Sequence, residues 1–308
     1  MSTRPDLSVV VPTYRRPELL AKCLASLAAQ DVERARYEVV VVDDGSGQET
    51  RRVLERSADR WPQMRWEAMP TNRGPAAARN RAIAEATGRL VLFVDDDIVA
   101  PPDLIRTHLG FHSGGDELLG VVGLVQWHPD LPLTSFMRWL DTTDVQFGYE
   151  SGMREGPIEP PWKAFYTCNL SIRRQLLVEV GGFDERFPYP AYEDAELAAR
   201  LHDRGFHLDY RPAARAWHAR AITLEQFCAR MRFVGESAGL LREAQPDVPF
   251  EVSMDASDPR GWRRPAKWCL SHLAPAIPLQ SMQAFRYRTA VDRAYRQGLR
   301  TGQRRCAT

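Results

Sequence analysis

The chain has 308 residues, of which 44% are hydrophobic and 26% are charged, an ordinary globular composition that is long enough for about two domains. Its 41 basic and 40 acidic side chains give a net charge of +1, so the basic excess typical of nucleic-acid-binding proteins is missing. Five cysteines occur without a Cys-x-x-Cys spacing, which favours reduced thiols over a zinc knuckle or a disulfide framework.

The sequence has neither an apolar signal core near its start nor an apolar run of the ~18 residues that a membrane span needs. We therefore expect a cytoplasmic protein, either soluble or attached peripherally at the inner face of the membrane.

The first hundred residues alternate between short apolar runs rich in β-branched residues and segments with helical periodicity. Strands are predicted at residues 7–11, 37–42, 64–69 and 90–94, and helices after Pro17, around 49–58 and at 76–86. This alternation predicts an α/β fold with a mainly parallel sheet flanked by helices. No G-x-G-x-x-G follows the first strand and no G-x-x-x-x-G-K occurs, so dinucleotide oxidoreductases and P-loop NTPases are disfavoured.

Beyond residue 100 the pattern is mixed. Further strands are predicted at 118–126, 166–172, 207–210 and 214–217, and helices at 173–180 and 193–203. Thr223 and Gln226 form a capping-box pattern that predicts a long helix to about residue 244. A polar linker is expected at 246–265, followed by two helices from Trp268 onward.

Three consecutive carboxylates, Asp95, Asp96 and Asp97, directly follow the apolar run 90–94. Ligands bind outside the carboxyl ends of strands in open α/β sheets, and adjacent carboxylates disfavour one another's ionisation unless a cation is near. Oxygen ligands suit Mg²⁺ or Mn²⁺, although an acidic turn of this kind is, by itself, more often simply solvated.

Three further places carry groups that could take part in chemistry. Glu193 and Asp194 open a predicted helix, where they are either plain capping residues or a general base held at a helix N-terminus. His218 follows an extended segment and is either a structural histidine or a third metal ligand. Gly74 precedes a helix start that, with Arg73 and Arg79, either faces a phosphate or merely packs closely on a sheet.

Taken in order, the motifs of this chain resemble those of the family 2 glycosyltransferases with the GT-A fold. They are Val-Val-Val-Pro-Thr-Tyr at 9–14, Val-Val-Asp-Asp-Gly-Ser at 41–46, Asn-Arg-Gly at 72–74 with Ala-Arg-Asn at 78–80, Phe-Val-Asp-Asp-Asp at 93–97, Gly-Gly-Phe-Asp-Glu-Arg-Phe at 181–187 and Glu-Asp-Ala-Glu-Leu at 193–197. The resemblance covers residues 7 to about 220. It implies a GT-A catalytic domain at 1–220, with a Rossmann-like α/β fold whose mixed, mainly parallel sheet is flanked by helices. The nucleotide-sugar half is expected at 1–100 and the acceptor half at 101–220. Residues 221–308 are expected to form a mainly helical C-terminal extension.

The resemblance also implies roles for residues on the donor side. Those expected to bind the donor or its nucleotide are Pro12, Thr13, Tyr14, Arg16, Asp44, Arg73, Gly74, Arg79, Asn80, Asp95 and Asp96. Asp97, Asp95 and His218 are expected to hold a divalent cation, Mn²⁺ or Mg²⁺, with Asp97 the most direct ligand.

On the acceptor side, the resemblance implies that Asp194, with Glu193 beside it, is catalytic and supplies the general base. The residues expected to line the acceptor or sugar pocket are Trp162, Cys168 and Asn169. The glycine that usually precedes such an asparagine is Cys168 here.

The implied activity is an inverting sugar transfer from a UDP-, GDP- or dTDP-linked donor to a hydroxyl of a glycan, a lipid-linked molecule or a small molecule. The cation would stabilise the departing diphosphate as a Lewis acid while Asp194 accepts the proton of the attacking hydroxyl. Two other interpretations stay open. One is a non-catalytic protein of the same fold that only holds a nucleotide sugar or glycan. The other is a metal-dependent nucleotidyl- or phosphotransferase, which the Pro-Thr-Tyr end of the first strand disfavours.

The C-terminal residues 260–305 are rich in arginine. Residues 285–300 can form an amphipathic helix, whose apolar positions are Phe285, Tyr287, Ala290, Val291 and Tyr295. Such a helix is usually a solvated face. The functional alternative is docking on an anionic membrane. For Trp262, Trp268 and the apolar residues near them, packing onto the catalytic domain and a homodimer interface are the open alternatives.

Overall fold

The computed structural model describes residues 4–143, 146, 153–248 and 279–306. The strands, labelled in chain order, are β1 Leu7–Thr13, β2 Tyr37–Asp43, β3 Met64–Ala68, β4 Leu90–Val94, β5 Ile98–Val99, β6 Leu119–Trp127, β7 Gly156–Ile158, β8 Asn169–Arg173 and β9 His207–His218. The helices are α1 Pro17–Ala28, α2 Gln48–Arg60, α3 Pro75–Glu85, α4 Leu104–Phe111, α5 Ser135–Asp141, α6 Arg174–Glu179, α7 Glu193–His202, α8 Leu224–Ala244 and α9 Leu279–Cys306. Short 3-10 helices lie at Arg34–Arg36, His112–Gly114 and Pro161–Lys163.

The chain divides into two compact units. Of the described residues, the first unit takes 4–132 and 153–221 and contains the whole sheet. The second takes 133–143, 146, 222–248 and 279–306, and so includes α5, α8 and α9. Residues 249–278, which hold most of the predicted linker and the start of the predicted C-terminal helices, lie outside the described residues.

The described strands form one sheet in the order β3-β2-β1-β4-β8-β6-β9-β5, with β7 paired to β9. Pairing is parallel from β3 through β2 and β1 to β4, antiparallel on both sides of β8, and parallel again between β6 and β9. The mixed, mainly parallel sheet predicted from the sequence is therefore confirmed, being parallel over its first four strands and mixed beyond them.

These pairing directions bring the ends of several strands to one edge of the sheet. Because β8 runs against both β4 and β6, the strands β1, β2, β4, β6 and β9 all point the same way. The carboxyl ends of β1, β2, β4 and β9 therefore share an edge with the amino end of β8. The register agrees, since Val94 lies opposite Asn169 and Ile98 lies opposite His218.

The core of the first unit forms around the fully buried strands β2 and β4. Continuous apolar runs of this kind are typical of parallel strands covered by helices on both faces. α1 covers the sheet with Leu20, Leu24 and Leu27, and α3 packs through alanines, which let its backbone lie close to β1. The core therefore holds α3 close against the strands that end at the shared edge.

β9 is one long strand where the sequence predicted two extended segments. Its register with β6 shifts between Gly123 and Val125, so that residues 212–215 bulge out of the ladder. Pro212 lies in this bulge, where its missing N–H does not interrupt the pairing.

In the second unit, Thr223 and Gln226 cap α8 through the predicted capping box. Residues 279–306 form one continuous helix. Within the part of the chain that the structure describes, no helix has both the length and the apolar character needed to cross a bilayer.

Candidate active site

The loop after β4 places the three aspartates in different environments. Asp96 is almost fully buried, and its carboxylate accepts hydrogen bonds from the Thr13 hydroxyl at 2.8 Å and from Arg16 Nη1 at 2.9 Å. Burial raises the pKa of Asp96 to about 6, although the Arg16 charge and the Thr13 hydrogen bond oppose the shift. Asp95 is the most accessible of the three, with 34% of its side chain exposed. Asp96 therefore ties the β4 loop to the end of β1, while Asp95 stays partly accessible.

Asp97 lies opposite His218, which comes from the end of β9. Asp97 Oδ2 is 3.6 Å from His218 Nε2 and 3.1 Å from Arg16 Nη1, and Arg220 Nη1 lies at 4.0 Å. The His218 ring packs edge-on against Trp127, with 5.2 Å between ring centroids. Burial lowers the pKa of His218, although the Asp97 charge opposes this shift. A histidine held neutral in this way can present a nitrogen lone pair to a metal.

Asp97 and His218 fit a divalent cation as a site of two residues. A carboxylate and a neutral imidazole are both ligands that Mn²⁺ accepts. Among the described residues, no group of three or more His, Cys, Asp or Glu side chains is arranged to hold a metal, and the third expected ligand, Asp95, pairs with Arg79 instead. Cations of the Mg²⁺ type are commonly held by one or two carboxylates, with water and substrate phosphates completing the shell. The pair therefore suits a cation that arrives with a phosphorylated ligand.

Arg79, on α3, connects the β4 loop with the start of α7. Its guanidinium, only 4% exposed, lies 3.1 Å from Asp95 Oδ1, 2.9 Å from Glu193 Oε1 and 3.7 Å from Asp194 Oδ1. The Phe183 ring lies 5.6 Å from it and packs against the cation. Burial acts to lower the pKa of Arg79, but Asp194, Asp95 and Glu193 together outweigh it and raise that pKa. Arg79 therefore stays charged and links acids that are far apart in the sequence.

Glu193 and Asp194 share the first turn of α7 but differ in exposure. The chain enters this turn through Tyr192 at φ +70°, a left-handed conformation that is uncommon for a residue other than glycine. The Glu193 side chain is 3% exposed, and burial, with the nearby Asp194 charge, raises its pKa to about 7. Asp194 keeps 26% of its side chain exposed, and its two oxygens lie 3.1 and 3.0 Å from the Thr167 hydroxyl. Burial raises the pKa of Asp194, while Arg79 and Thr167 act to lower it.

Asp194 is thus the acid of this pair that can reach a bound molecule. Glu193 was predicted to be catalytic as well, and that role stays a prediction. Its carboxylate is buried and committed to Arg79, because a charge in the interior needs a partner.

Several predicted donor-binding residues lie where β1 ends. Thr13 and Arg16 contact the aspartates after β4 directly. Pro12 lies within β1, and Tyr14, just beyond it, is 36% exposed. The Arg15 guanidinium lies over the Tyr14 ring at 4.9 Å. This end of β1 therefore presents an exposed aromatic ring beside buried polar groups.

Asp44 supports the turn that precedes α3. Its carboxylate accepts hydrogen bonds from Asn72 Nδ2 at 2.8 Å and from the backbone N–H groups of Arg73 at 2.7 Å and Gly74 at 2.8 Å. A contact between Asp44 and a nucleotide base would therefore compete with three hydrogen bonds inside the chain. Arg73 itself forms an exposed ion pair with Glu185 at 2.7 Å.

The sequence predicted that Asn80 binds the donor. In the structure, its side chain is hydrogen-bonded to the backbone of Phe183. Its side-chain amide accepts from Phe183 N at 2.7 Å and donates to Phe183 O at 2.9 Å. A side chain on Gly182, which has φ +70°, would collide with this amide. The Ala-Arg-Asn and Gly-Gly-Phe motifs therefore meet to hold the loop before α7 against α3, which also fixes Arg79 in place.

Two of the residues predicted for the acceptor pocket differ in their placement. Cys168 is half-buried at the amino end of β8, and burial, reinforced by the Asp95 and Asp194 charges, raises the pKa of its thiol. It is therefore a neutral thiol near both acids. The Trp162 ring packs edge-on against the ring of His202, with 5.3 Å between the ring centroids. His202 is the last residue of α7 and lies about 12 Å along that helix from Asp194.

Asn169 lies inside the sheet rather than in a pocket. Its Nδ2 donates to Ala214 O at 2.7 Å, and its Oδ1 lies 2.9 Å from His108 Nε2. Since Asn169 offers an acceptor there, His108 Nε2 carries the hydrogen and His108 Nδ1 accepts from the Ser171 hydroxyl at 2.8 Å. Burial lowers the pKa of His108 to about 4. The amide of Asn169 therefore anchors the bulge of β9, a structural task.

Thr167 and Arg220 reach the site without having been predicted. Thr167 lies next to Asp194 because β8 is antiparallel to β4, a direction that the sequence alone does not reveal. Arg220 lies near Asp97, and its position two residues after His218 was a signal that could have been used.

Comparisons with known proteins agree with this geometry. A family model described as glycosyl transferase family 2 matches residues 8–168, and one described as glycosyltransferase like family 2 matches residues 159–244. Validoxylamine A glucosyltransferase of Streptomyces hygroscopicus subsp. jinggangensis is 33% identical over 226 residues, which cover 65% of this chain and 52% of that protein. The pre-mycofactocin glycosyltransferase of Mycobacterium tuberculosis is 29% identical over 257 residues, which cover 80% of this chain and 50% of that protein. The chain thus spans about half the length of these curated relatives.

Among solved structures, the mannosyltransferase PcManGT from Pyrobaculum calidifontis, in complex with GDP-Man and Mn2+, has a TM-score of 0.66 at 18% identity, covering 96% of this chain and 88% of that one. Staphylococcus aureus TarS 1-349 in complex with UDP-GlcNAc has a TM-score of 0.57 at 17% identity, covering 97% and 92%. At such identities the likeness speaks for the fold alone, and it confirms the predicted GT-A type.

Proposed function

The chain belongs to glycosyl transferase family 2, and from that premise we propose that it transfers a sugar from a nucleoside-diphosphate sugar to an acceptor hydroxyl. One observation carries the proposal. At a single sheet edge, the buried Arg79 joins Asp95, beside the pair Asp97 and His218, to the partly exposed Asp194. Groups suited to a departing diphosphate therefore lie close to a carboxylate suited to an incoming hydroxyl.

The donor is a UDP-, GDP- or dTDP-linked sugar. Two solved proteins of this fold hold GDP-Man and UDP-GlcNAc, which supports this class of donor. In this chain, the exposed ring of Tyr14 can stack on a nucleobase, as aromatic side chains commonly do. Thr13 and Arg16, which flank Tyr14 in the sequence, both contact Asp96 after β4.

Asp97 and His218 would hold a divalent cation, Mn²⁺ or Mg²⁺, that accompanies the donor. When bound, the ion supplies Lewis-acid stabilisation of the diphosphate as it leaves. Arg16 and Arg220 lie within 3.1 and 4.0 Å of Asp97 and add fixed positive charge at the place where negative charge develops.

Asp194 acts as the general base. Arg79 and Thr167 favour its ionised form, and the exposed quarter of its side chain leaves room for an acceptor. As the acceptor oxygen bonds to the anomeric carbon, the bond from that carbon to the diphosphate breaks and the hydroxyl proton passes to Asp194. A single displacement of this kind inverts the anomeric configuration. Thr167 orients Asp194, and Glu193 anchors Arg79 from the buried side.

Asp194→Asn tests the proposal. We expect turnover to fall at least ~100-fold, because a general base contributes ~10²–10⁴-fold, while donor binding stays unchanged. The matched control is Asp203→Asn, an exposed aspartate just after α7, which should leave both unchanged. Turnover is read as nucleotide release from a panel of UDP-, GDP- and dTDP-sugars, and donor binding as a thermal shift with Mn²⁺.

Unchanged turnover in Asp194→Asn would remove Asp194 from its role. Donor binding by the wild type without turnover on any acceptor would instead favour the non-catalytic interpretation.

A further inference from the structure

α9 carries an arginine face opposite the side by which it packs. Arg286, Arg293 and Arg300 are exposed and seven residues apart, so they form a line along one side of the helix. Val291 and Ala294 are buried on the other side. The line is about 21 Å long, at 1.5 Å per residue.

These arginines have no acidic partner within the ranges that the structure describes. Asp292 is the one acidic residue in α9, and it pairs with Arg296 at 2.8 Å. No ion pair or hydrogen bond to the side chains of Arg286, Arg293 or Arg300 occurs among the described residues. Their charge is therefore open to an outside partner.

Positive charge is also concentrated on this helix. α9 has seven arginines and one aspartate, whereas the whole chain has 41 basic and 40 acidic side chains. The rest of the chain therefore carries an excess of five negative charges. A separate positive surface on a protein that is elsewhere slightly acidic is typical of a binding face for an anionic partner.

α9 presents this face on a firm support. Gly298 of α9 lies so close to Arg232 O of α8 that a side chain there would collide with the α8 backbone. The two helices therefore touch backbone to backbone. The arginine line therefore runs along one continuous helix whose other side is held against α8.

We propose that this arginine face docks the protein on a membrane surface that carries anionic phospholipid. Arginines in a line along one side of a helix can all meet a flat anionic plane at once, whereas a nucleic acid is disfavoured because the rest of the chain carries net negative charge. Phe285, next to Arg286, is 50% exposed and can enter the headgroup region, as aromatic side chains do at membrane interfaces. The proposal is independent of the transfer chemistry, because it uses none of the residues at the sheet edge.

Sedimentation with vesicles tests this docking on the full chain. The wild type should bind vesicles of phosphatidylcholine mixed with phosphatidylglycerol, should bind phosphatidylcholine alone far less, and should be released by added salt. The triple change Arg286→Gln, Arg293→Gln and Arg300→Gln should weaken binding about 100-fold, from the effect of three arginines near an anionic surface. The matching lysine triple variant keeps the charge and should retain binding.

A second triple variant is the matched control, because it removes the same net charge elsewhere. Arg34→Gln, Arg52→Gln and Arg60→Gln change exposed arginines in the first unit and should leave vesicle binding nearly unchanged. Equal losses in both glutamine triples, or no wild-type binding to anionic vesicles, would overturn the proposal. Competition by free glycerol phosphate at the same phosphate concentration would also overturn it, and so would binding that is confined to nucleic acid.

Discussion

Replacing Arg79 with methionine tests most directly how the site is held together. Methionine keeps an apolar contact with Phe183 but removes the guanidinium that pairs with Asp95 and Glu193. The side chains of Arg79 and Glu193 are only 4% and 3% exposed, so the change leaves a buried carboxylate without its partner. Breaking a buried pair of this kind typically lowers the free energy of unfolding by about 3–5 kcal/mol.

The loss of stability in Arg79→Met should depend on pH, because Glu193 titrates in the folded protein. Burial raises the pKa of Glu193 to about 7 in the presence of Arg79, and removing Arg79 should raise it further. A carboxyl whose folded pKa lies above its unfolded value makes stability fall as pH rises towards the folded pKa, because the folded state holds the proton longer. In the wild type, ionisation of Glu193 therefore stops lowering the free energy of unfolding just above the Glu193 pKa of about 7. Arg79→Met should go on losing about 1.4 kcal/mol per pH unit.

Urea unfolding followed by circular dichroism, on either side of the Glu193 pKa, measures both effects. Arg81→Met is the matched control, because Arg81 lies on the same helix but pairs with Glu67 in the open, where ion pairs contribute little. Arg79→Met combined with Glu193→Gln should recover most of the stability, since the orphaned charge is then gone. A loss that is equal at both pH values, or that Glu193→Gln does not relieve, would refute this account.

Three other changes probe the base, the fold and the cation. Thr167→Val should lower kcat about tenfold with the donor KM unchanged, and it should move the acid limb of the pH profile to higher pH, because Asp194 loses a hydrogen bond to its charged form. Thr167→Ser keeps the hydroxyl and should behave as the wild type. An equal loss of kcat in both variants would contradict the orienting role of Thr167. Burial lowers the pKa of His108 to about 4, so the unfolded state takes up its proton first as pH falls below the ordinary histidine value. This histidine should therefore contribute up to about 3 kcal/mol to the loss of stability in acid, and His108→Gln should make the loss in urea titrations smaller by that amount. EDTA should abolish turnover and Mn²⁺ restore it if Asp97 and His218 hold the ion, and turnover that ignores the chelator would contradict the cation site.

Much of the fold could be predicted because local rules decide it. The apolar run that ends at Val94 and the helix that begins at Glu193 stand where the sequence predicted them, since a buried strand and an amphipathic helix each show their own periodicity. The shared edge of the sheet followed from parallel strands, which the alternation of strands and helices predicts. The antiparallel direction of β8 was not predictable in this way, and Thr167 was missed for that reason.

Partners of side chains could not be predicted, because they depend on contacts between distant residues. Asn169 was expected in a pocket, yet its amide is buried with His108, 61 positions away. Arg79 was expected at a phosphate, yet it lies against Glu193, 114 positions away. A motif records which residue type is present, and the same asparagine or arginine can serve a ligand or the interior.

The charges at the sheet edge connect the proposed donor and acceptor sides physically. The site brings together the carboxylates of Asp95, Asp96, Asp97, Glu193 and Asp194 and the guanidiniums of Arg16, Arg79 and Arg220. When all are ionised, two negative charges are left over. Burial is the main cause that raises the pKa values of four of these acids, namely Asp95, Asp96, Glu193 and Asp194, and in each case the charge of a neighbouring carboxylate adds to the rise. One divalent cation would balance the excess, so the charge of these side chains favours the cation-bound donor that the proposed transfer requires.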